Sequence, residues 1–375
     1  MGRPTDNTNH ADRIRATRVI GWPDKSPDSI GNRIAWQKDF RRVRIPIMLE
    51  KKRKKYWVGF DLGGTKMLAN IFETDFKLLG RARKKTQARN GSQSGLDRIV
   101  QTIEGALAET GLQKDQLAGI GLGIPGPLDP SRGLVIHTPN LGWRNFQLRK
   151  PLEEAFHCPV FVINDVDAGI YGEFRFGAAQ GTRCAVGVFP GTGIGGGCVY
   201  EGRILTGRNR SCFEIGHIQL IPDGPLCGCG QRGCLEAVAS RLAISASAAS
   251  AVFRGEAPNL LALAGTDLAN IRSGALADAI KAGDTVIEEI VRNGARWLGV
   301  GVSTLVNLLA PDVVVLGGGL VEAMPAIYVE EVSKIAQARV MTPFKDVFKI
   351  TVSQLGDDAV AKGAAAWAEA CVDGK

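Results

Sequence analysis

Two stretches of the sequence repeat one pattern: a short apolar segment, a glycine-rich turn and a second apolar segment. They are VGFDLGGTKMLANIF at residues 58–72 and VGVFPGTGIGGGCVY at residues 186–200. Each predicts two strands joined by a turn whose backbone N–H groups can contact phosphate. The repeat therefore predicts a duplicated architecture, with one such hairpin in each half and a cleft between the halves.

Other glycine-rich nucleotide motifs fit the sequence less well. A P-loop needs GxxxxGK[ST] ahead of a helix, and the sequence has none. Gly191, Gly193 and Gly196 match the GxGxxG spacing of a dinucleotide-binding fold. The residues that follow, GCVYEGRIL, predict a strand where that fold has a helix. The dinucleotide fold therefore stays open only as an alternative.

Apolar segments and helical periodicities alternate along the chain. Helices are predicted up to about Gly111, from about Glu236 to Phe253, from Asp284 to Leu309, and over the closing stretch DDAVAKGAAAWAEAC. Buried strands are predicted at LAGIGLGI, CPVFVIN and PDVVVLGGG. Strands that alternate with helices indicate an α/β protein.

Positive charge is concentrated at the N-terminus. The formal net charge is +8, but residues 1–56 hold 15 Lys and Arg against 6 Asp and Glu, and the remainder holds 31 against 32. The body is electrically balanced, which disfavours a nucleic-acid-binding function for it. Residues 1–55 show no periodicity and are predicted to be a basic, disordered extension. Two interpretations stay open: translation that starts at Met48, and a basic tail that contacts nucleic acid or anionic lipid.

Length and apolar content predict two domains and no membrane anchor. A chain of 375 residues can form two domains, each with its own core. No run of about 18 apolar residues and no signal-peptide core occurs in the sequence. We therefore expect a cytoplasmic protein.

The cysteine- and glycine-rich segment CGCGQRGC predicts a metal site. Cys227, Cys229 and Cys234 are spaced C-x-C-x4-C, and His217 lies ten residues ahead of them. In a cytosolic chain this spacing favours a metal over a disulfide. Three thiolates and one imidazole satisfy tetrahedral Zn²⁺ with no open position, so a structural zinc site is expected. The isolated cysteines are predicted to be buried apolar side chains: Cys158, Cys184, Cys198, Cys212 and Cys371.

Six motifs together resemble one known family. DLGGTK, TPNLGW, NDVDAG, GTGIGGG, EIGH and CGCGQRGCLE occur in the order found in ROK-family sugar kinases, and the likeness covers residues 57–375. The resemblance is to the glucokinase branch in particular. It implies an actin-like, ribonuclease-H-like two-lobed ATPase fold that binds ATP and a hexose between the lobes. The path of the chain then predicts a smaller lobe of residues 56–167 and 356–375, and a larger lobe of residues 168–355 that carries the zinc site.

The activity implied by this resemblance is ATP-dependent phosphorylation of a hexose, most often glucose, at the 6-hydroxyl. Asp165 matches the family's catalytic aspartate and would accept the proton of that hydroxyl. Without the resemblance, the structural role of a helix N-cap would be the favoured interpretation. Asn140 and Asn164 match sugar-binding asparagines, whose amides offer both a donor and an acceptor.

Three residues around the cysteine-rich segment match sugar contacts as well: Glu214, His217 and Glu236. His217 would bind zinc through one ring nitrogen and turn the other toward a sugar hydroxyl. Zinc would thus make the sugar pocket rigid and take no part in bond formation.

The resemblance places the phosphates of ATP on both glycine-rich turns. The backbone amides expected there belong to Gly63, Gly64, Thr65, Gly191, Thr192 and Gly193. Asp61 is expected to orient Mg²⁺ through water, and Lys66 either neutralises phosphate or lies in solvent at a strand edge. The adenosine-contacting segment corresponds to Gly317, Gly318 and Gly319, which can also form a simple strand-to-helix turn.

Two departures from the family pattern leave the substrate open. Asp167 stands where the family usually has Asn, two residues beyond Asp165, and Cys212 and Phe213 replace a pair of small residues ahead of EIGH. Fructose, mannose, N-acetylmannosamine and N-acetylglucosamine remain alternative substrates. Polyphosphate remains an alternative donor.

A sugar-responsive transcriptional repressor is the alternative function. Repressors of this family carry a helix-turn-helix domain ahead of the kinase-like body. The first 56 residues show no pair of apolar-periodic helices around a glycine turn. A zinc-ribbon nucleic-acid module is disfavoured, because a second cysteine pair is missing. We expect an enzyme that forms a homo-oligomer, a dimer or a tetramer, and has no specific nucleic-acid partner.

Overall fold

The structure, a computed structural model, describes residues 55–87, 91–138, 141–208 and 212–374. The predictions for residues 1–54 and for Asn140 lie outside these ranges. The described residues fall within one compact unit. None of the described helices has the length and apolar character needed to span a bilayer.

A five-stranded sheet forms the N-terminal half. Its strands are β1 (Tyr56–Leu62), β2 (Lys66–Phe72), β3 (Leu78–Lys85), β4 (Leu117–Ile124) and β8 (Val160–Asn164). They lie in the order β3-β2-β1-β4-β8, with β1 antiparallel to β2 and parallel to β4. A small antiparallel sheet, which the sequence did not predict, comes between β4 and β8: β5 (Leu128–Asp129), β6 (Leu134–Thr138) and β7 (Trp143–Gln147).

A second five-stranded sheet repeats the first position for position. Its strands are β9 (Cys184–Pro190), β10 (Ile194–Tyr200), β11 (Arg203–Ile204), β12 (Val313–Leu316) and β13 (Lys349–Val352). The order is β11-β10-β9-β12-β13, with β9 antiparallel to β10 and parallel to β12. Both predicted glycine-rich hairpins are therefore present, each as the first two strands of its sheet.

Helices cover the two sheets and fill the space between them. They are α1 (Gly91–Thr110), α2 (Arg149–Phe156), α3 (Asp165–Phe176), α4 (Glu236–Ala239), α5 (Arg241–Phe253), α6 (Pro258–Ala264), α7 (Ser273–Lys281), α8 (Thr285–Leu309), α9 (Gly319–Ala323), α10 (Pro325–Arg339) and α11 (Ala359–Val372). Helix α11 packs on β1 and β4, α3 packs on β9 and β10, and the two helices pack against each other. The layer order is therefore sheet, α11, α3, sheet.

The α3–α11 contact is close because small residues meet there. A Cβ atom added to Gly363 would lie 1.8 Å from the carbonyl oxygen of Ala168, and one added to Gly172 would lie 2.5 Å from that of Ala359. Since the neighbouring atoms belong to backbone, neither position has room for a side chain.

The predicted helix from Glu236 to Phe253 is in fact two helices. Ser240 has extended backbone angles, and its Oγ accepts a hydrogen bond from the N–H of Ala243 at 3.2 Å. A serine in this conformation ends one helix and caps the next. The apolar periodicity continues across the break, which is why the sequence predicted one helix.

Burial of the isolated cysteines agrees only in part with the prediction. Cys158, Cys184 and Cys198 are buried, whereas Cys212 and Cys371 are only half-buried. The Sγ atom of Cys212 lies 3.0 Å from the carbonyl oxygen of Leu205, so this thiol donates to backbone near the surface.

Candidate active site

A cavity of about 240 Å³ is lined by three of the predicted site residues. It is lined by Asp61 at the end of β1, Asp165 at the start of α3 and Gly318 after β12, together with Phe189 and Asp357. Both sheets and the two helices between them thus contribute to one cavity.

Strand order explains why Asp61 and Asp165 lie close together. Strands β1, β4 and β8 are parallel, and Asp61 pairs with Gly123 while Ile124 pairs with Asn164. The carboxyl ends of the three strands therefore meet at one edge of the sheet. Ligand sites of open α/β sheets form at such edges.

The N-cap of α3 is Asn164, not Asp165. Its Oδ1 accepts hydrogen bonds from the N–H groups of Val166 at 2.9 Å and Asp167 at 3.3 Å. The cap uses the amide oxygen, so the amide N–H₂ of Asn164 is left to donate to another partner. Asp165 makes one further backbone contact, accepting from the N–H of Val166 at 3.0 Å.

Burial raises the pKa values of three carboxyl groups toward neutral pH. It raises the pKa of Asp165 to about 6, with a smaller contribution from the negative charge of Glu214. Burial and the charge of Asp165 raise the pKa of Asp61 to about 7. The pKa of Asp167 also rises to about 7, through burial and the charges of Asp165 and Glu214. A carboxylate with a pKa near the working pH is suited to general base catalysis.

The two glycine-rich turns leave the same kind of group exposed. The N–H of Gly63 donates to the carbonyl of Lys66 at 2.9 Å, and that of Gly191 donates to the carbonyl of Gly193 at 2.8 Å. These two amides are used inside the turns. Within the described residues no hydrogen bond uses the remaining amides of the turns: Gly64, Thr65, Thr192 and Gly193. Clustered free N–H groups of this kind bind anions.

Lys66 is held by an ion pair. Its Nζ lies 2.9 Å from a carboxylate oxygen of Asp357, and Arg83 contacts the other oxygen of Asp357 at 3.0 Å. Lys66 is the first residue of β2 and its side chain is 44% exposed, so its predicted contact with phosphate stays a prediction and would compete with this ion pair.

The three glycines after β12 occupy different places. Gly317 is buried, and an added Cβ would lie 2.6 Å from the ring of Phe189, so this position is needed for packing. Gly318 has φ +80° and lines the cavity. Gly319 is exposed and begins α9. Of the three, only Gly318 lies on the wall of the cavity.

The four predicted metal ligands come together. One ligand atom from each of His217, Cys227, Cys229 and Cys234 lies within 4.8 Å of the others. The Sγ atoms of Cys229 and Cys234 are 3.7 Å apart, and Sγ of Cys227 is 3.7 Å from Nδ1 of His217. A tetrahedron of sulfur atoms about 2.3 Å from zinc has edges of about 3.8 Å. The donor set and its spacing fit Zn²⁺.

Glycine makes the tight fold of this segment possible. Gly233 has φ +74°, and an added Cβ would lie 1.7 Å from the carbonyl oxygen of Ile221. Any other residue there would push two backbone segments apart. The position of Cys234, the next residue, depends on this contact.

Glu236 connects the metal cluster to the second turn, which the sequence did not predict. Its Oε2 accepts from the N–H of Ile194 at 2.9 Å, while its Oε1 lies 3.7 Å from Sγ of Cys227. An added Cβ on Gly193 would lie 2.3 Å from Oε2, so glycine is required for this approach. Glu236, predicted as a sugar contact, therefore also supports the second glycine-rich turn. Glu214 is exposed at the other end of the segment.

A second unpredicted residue, Glu173, fixes the wall of the cavity. Its buried carboxylate accepts from Oγ of Ser353 at 2.5 Å, from the N–H of Leu355 at 2.9 Å and from that of Ala178 at 2.8 Å. A glutamate in the middle of a helix gives no sequence signal of such a role. The contact joins α3 to the segment that leads into α11.

The family model for the ROK family matches residues 57–371. The chain belongs to the ROK family. The glucokinase of Thermotoga maritima is 33% identical to it, over 82% of this chain and 95% of that glucokinase. The xylose repressor of Bacillus subtilis is 27% identical, over 85% of this chain and 79% of the repressor.

Solved structures of the ROK family share the fold as well. The crystal structure of a ROK-family glucokinase from Streptomyces griseus, in complex with glucose and AMPPNP, superposes with a TM-score of 0.74 at 30% identity. The match covers 84% of this chain and 99% of that protein. The predicted ROK membership and actin-like α/β fold are thereby confirmed.

Proposed function

We propose that this ROK chain transfers the γ-phosphoryl group of ATP to the 6-hydroxyl of glucose. The observation that carries the proposal is the position of Asp165, which shares a cavity with Asp61 and has a pKa of about 6. The enzyme class, an ATP-dependent sugar kinase, agrees with the glucokinase relatives. Glucose is proposed as the substrate because these relatives are glucokinases.

The reaction needs a base, phosphate-binding donors and a positioned alcohol. Asp165 takes the proton of the sugar hydroxyl while the oxygen of that hydroxyl forms a bond to the γ-phosphorus. The bond from this phosphorus to the β–γ bridging oxygen breaks, and ADP is released. The free amides of both turns hold the phosphate oxygens, whose negative charge would otherwise repel the two aspartates. The buried surroundings of Asp165 make it a stronger base than an exposed aspartate.

Two metal ions complete the proposal. Asp61 offers the hard carboxylate oxygen that Mg²⁺ prefers, and would orient the ion through water. Magnesium would neutralise charge on the transferred phosphoryl group. His217, Cys227, Cys229 and Cys234 would hold a structural Zn²⁺ that fixes the segment on which Glu236 lies.

The sugar site is proposed to include residues on both sides of Asp165. Asn164 offers its amide N–H₂, and Asn140, Glu214, His217 and Glu236 are proposed as further sugar contacts. The Nδ1 of His217 faces Cys227, which leaves Nε2 for a sugar hydroxyl. We also propose lobes of residues 56–167 with 356–375 and of residues 168–355.

A coupled ADP-release assay over a panel of hexoses and acetylated hexosamines tests the proposal. Glucose is expected to give the highest kcat/KM. Asp165→Asn is expected to lower kcat by about 10³-fold, because general base catalysis contributes about 10²–10⁴. Asp75→Asn, at an exposed turn outside the cavity, is the matched control and is expected to leave kcat unchanged. Undiminished turnover by Asp165→Asn would exclude the proposed base.

A repressor is the second candidate, because the xylose repressor also matches most of the chain. A gel-shift assay distinguishes the two functions. Sequence-specific DNA binding released by a sugar, together with no ADP release on any sugar, would favour the repressor. The proposed kinase predicts the opposite on both measurements.

A further inference from the structure

Arg241 is attached to the second glycine-rich turn. It is the first residue of α5, and its backbone N–H donates to the carbonyl of Gly191 at 2.9 Å. Its Nη2 donates to Oγ1 of Thr192 at 2.9 Å. Both the backbone and the guanidinium of Arg241 are therefore positioned by the turn that carries the free amides of Thr192 and Gly193.

In the part of the chain that the structure describes, Arg241 and Arg272, whose charge acts on Arg241, both lack a carboxylate partner. Arg272 donates its Nε to the carbonyl of Ala269 at 3.0 Å, which leaves its charge unbalanced. Partial burial and the charge of Arg272 lower the pKa of Arg241. Two like charges that approach without a counter-ion destabilise each other, unless an anion binds between them.

The segment that follows Arg272 packs beside the glycines after β12, since α7 contacts α9. Ser273, the next residue, begins α7, and its Oγ would lie 3.5 Å from a Cβ added to Gly319. Gly319 follows Gly318, which lines the cavity. Arg241 thus lies on the second turn, and Arg272, whose charge acts on Arg241, precedes a helix that lies beside the glycines after β12.

We propose that Arg241, assisted by Arg272, is a phosphate-binding residue for the nucleotide at the second turn. This inference rests on the proposed function, and it names two residues that none of the six sequence motifs contains. A planar guanidinium beside free backbone amides can donate several hydrogen bonds to the oxygens of one phosphate group. A neutral sugar would leave the two positive charges uncompensated. The polyanionic tail of a nucleoside triphosphate compensates them.

The arrangement assigns the two turns different sources of positive charge. At the first turn, Lys66 and Arg83 are already paired with Asp357. At the second, Arg241 has only the hydroxyl of Thr192 as a side-chain partner among the described residues. We therefore expect the larger share of side-chain binding energy for phosphate to come from Arg241.

Binding of AMPPNP and of adenosine, measured by calorimetry on the full chain, tests this assignment. Arg241→Gln is expected to weaken AMPPNP binding by about tenfold or more, since hydrogen bonds to charged groups are strong, and to leave adenosine binding unchanged. Arg241→Lys keeps the positive charge but loses the paired N–H donors of the guanidinium. It should therefore bind AMPPNP more tightly than Arg241→Gln and more weakly than the unmodified chain. Arg272→Gln is expected to show a smaller loss in the same direction.

Arg254→Gln is the matched control. Arg254 lies at the other end of α5 and is paired with Glu256, outside the cavity. It is expected to bind AMPPNP like the unmodified chain. In the kinase assay, Arg241→Gln should raise KM for ATP with little change in KM for glucose.

Three results overturn the inference. The first is equal AMPPNP affinity for Arg241→Gln and Arg254→Gln. The second is a loss of the same size for adenosine and AMPPNP, which would show a structural role for Arg241. The third is an unmodified chain that does not bind AMPPNP. If the unmodified chain binds AMPPNP but phosphorylates no sugar, the proposed function fails while the assignment of Arg241 stands.

Discussion

The two glycine-rich turns have the same backbone design and different chemistry. Each connects the first two strands of a five-stranded sheet, and each uses one amide inside the turn while leaving two free. The residue two positions before the first glycine is Asp61 in the first turn and Phe189 in the second. The first turn thus carries a carboxylate in its own strand, whereas the second has an aromatic ring that packs against Gly317.

The second turn obtains its charged groups from elsewhere in the chain. Glu236 and Arg241 both contact it, and both belong to the segment that follows the last cysteine of the metal cluster. The comparison teaches that a duplicated fold supplies two equivalent turns whose surroundings can differ. In the proposed reaction both turns bind phosphate, the carboxylates of Asp61 and Asp165 lie at the edge of the first sheet, and the metal cluster supports the second turn through Glu236.

Of the changes that compare the two turns, substitution of Asp61 has the largest expected effect, and substitution of Phe189 at the equivalent strand position is its counterpart. Asp61→Asn removes the carboxylate proposed to orient Mg²⁺, so kcat is expected to fall by about 100-fold. Phe189→Leu, at the equivalent position of β9, is expected to change kcat by less than about threefold, because the apolar ring lines the cavity without offering a metal ligand or a base. The measurement is steady-state kinetics at saturating ATP and glucose. Equal losses in the two variants would contradict the division of roles.

Removing the metal is expected to weaken the second turn more than the first. Cys229→Ser should lower the zinc content and raise KM for both ATP and glucose by about tenfold, because Glu236 loses its support. Metal analysis, kinetics and thermal unfolding measure the effect. Cys371→Ser, remote from the cluster on α11, is the control and should retain zinc. If zinc is lost and neither KM changes, the coupling through Glu236 is wrong.

The decrease of kcat/KM at acid pH reports the ionisation of the carboxylate of Asp165. Asp165 must be ionised to accept a proton, and its pKa is raised from 3.8 to about 6. We therefore expect kcat/KM to fall below about pH 6, approaching tenfold per pH unit. A profile that stays flat down to pH 4.5 would contradict this role for Asp165.

Stability is expected to change in the opposite direction over the same pH range. The pKa of Asp167 rises from 3.8 to about 7 on folding, so the folded state binds a proton more tightly than the unfolded state. The free energy of unfolding should therefore increase as the pH is lowered from about 7 toward 4. Asp167→Asn should stabilise the chain at pH 8 and have no effect near pH 3.5. Chemical denaturation at several pH values measures both.

The smallest expected effect belongs to Lys66. Its charge is already shared with Asp357, and exposed ion pairs of this kind contribute little. Lys66→Gln is expected to raise KM for ATP by only about twofold, against tenfold or more for Arg241→Gln. A larger loss for Lys66→Gln than for Arg241→Gln would reverse the comparison between the turns.

Local patterns predicted the framework of the molecule well. The two hairpins, the buried strands β4, β8 and β12, and the metal ligands around Cys229 all depend on short-range spacing that a sequence shows directly. The ends of α1 and α8 lie within a residue or two of the predicted positions, since glycine and an apolar period mark them.

Contacts between distant segments could not be predicted in the same way. The pairing of Lys66 with Asp357 joins residues 291 positions apart, and Glu173 contacts Ser353 across 180. No local pattern encodes such pairs. Asn164 as the N-cap was missed because two polar residues in succession are both good caps, and only the backbone angles decide between them.

The contact between α3 and α11, where two glycines bring the backbones together without side chains between them, has a consequence for the proposed catalysis. Gly172 and Gly363 lie at the point where these helices cross, and the backbones there nearly touch. Asp165 projects from one helix, and Asp61 lies on the sheet that the other helix covers. A single methyl group at either glycine would push the helices apart and widen the distance between Asp165 and Asp61. Two absent side chains, neither of them on the cavity wall, therefore set the reach of the proposed base.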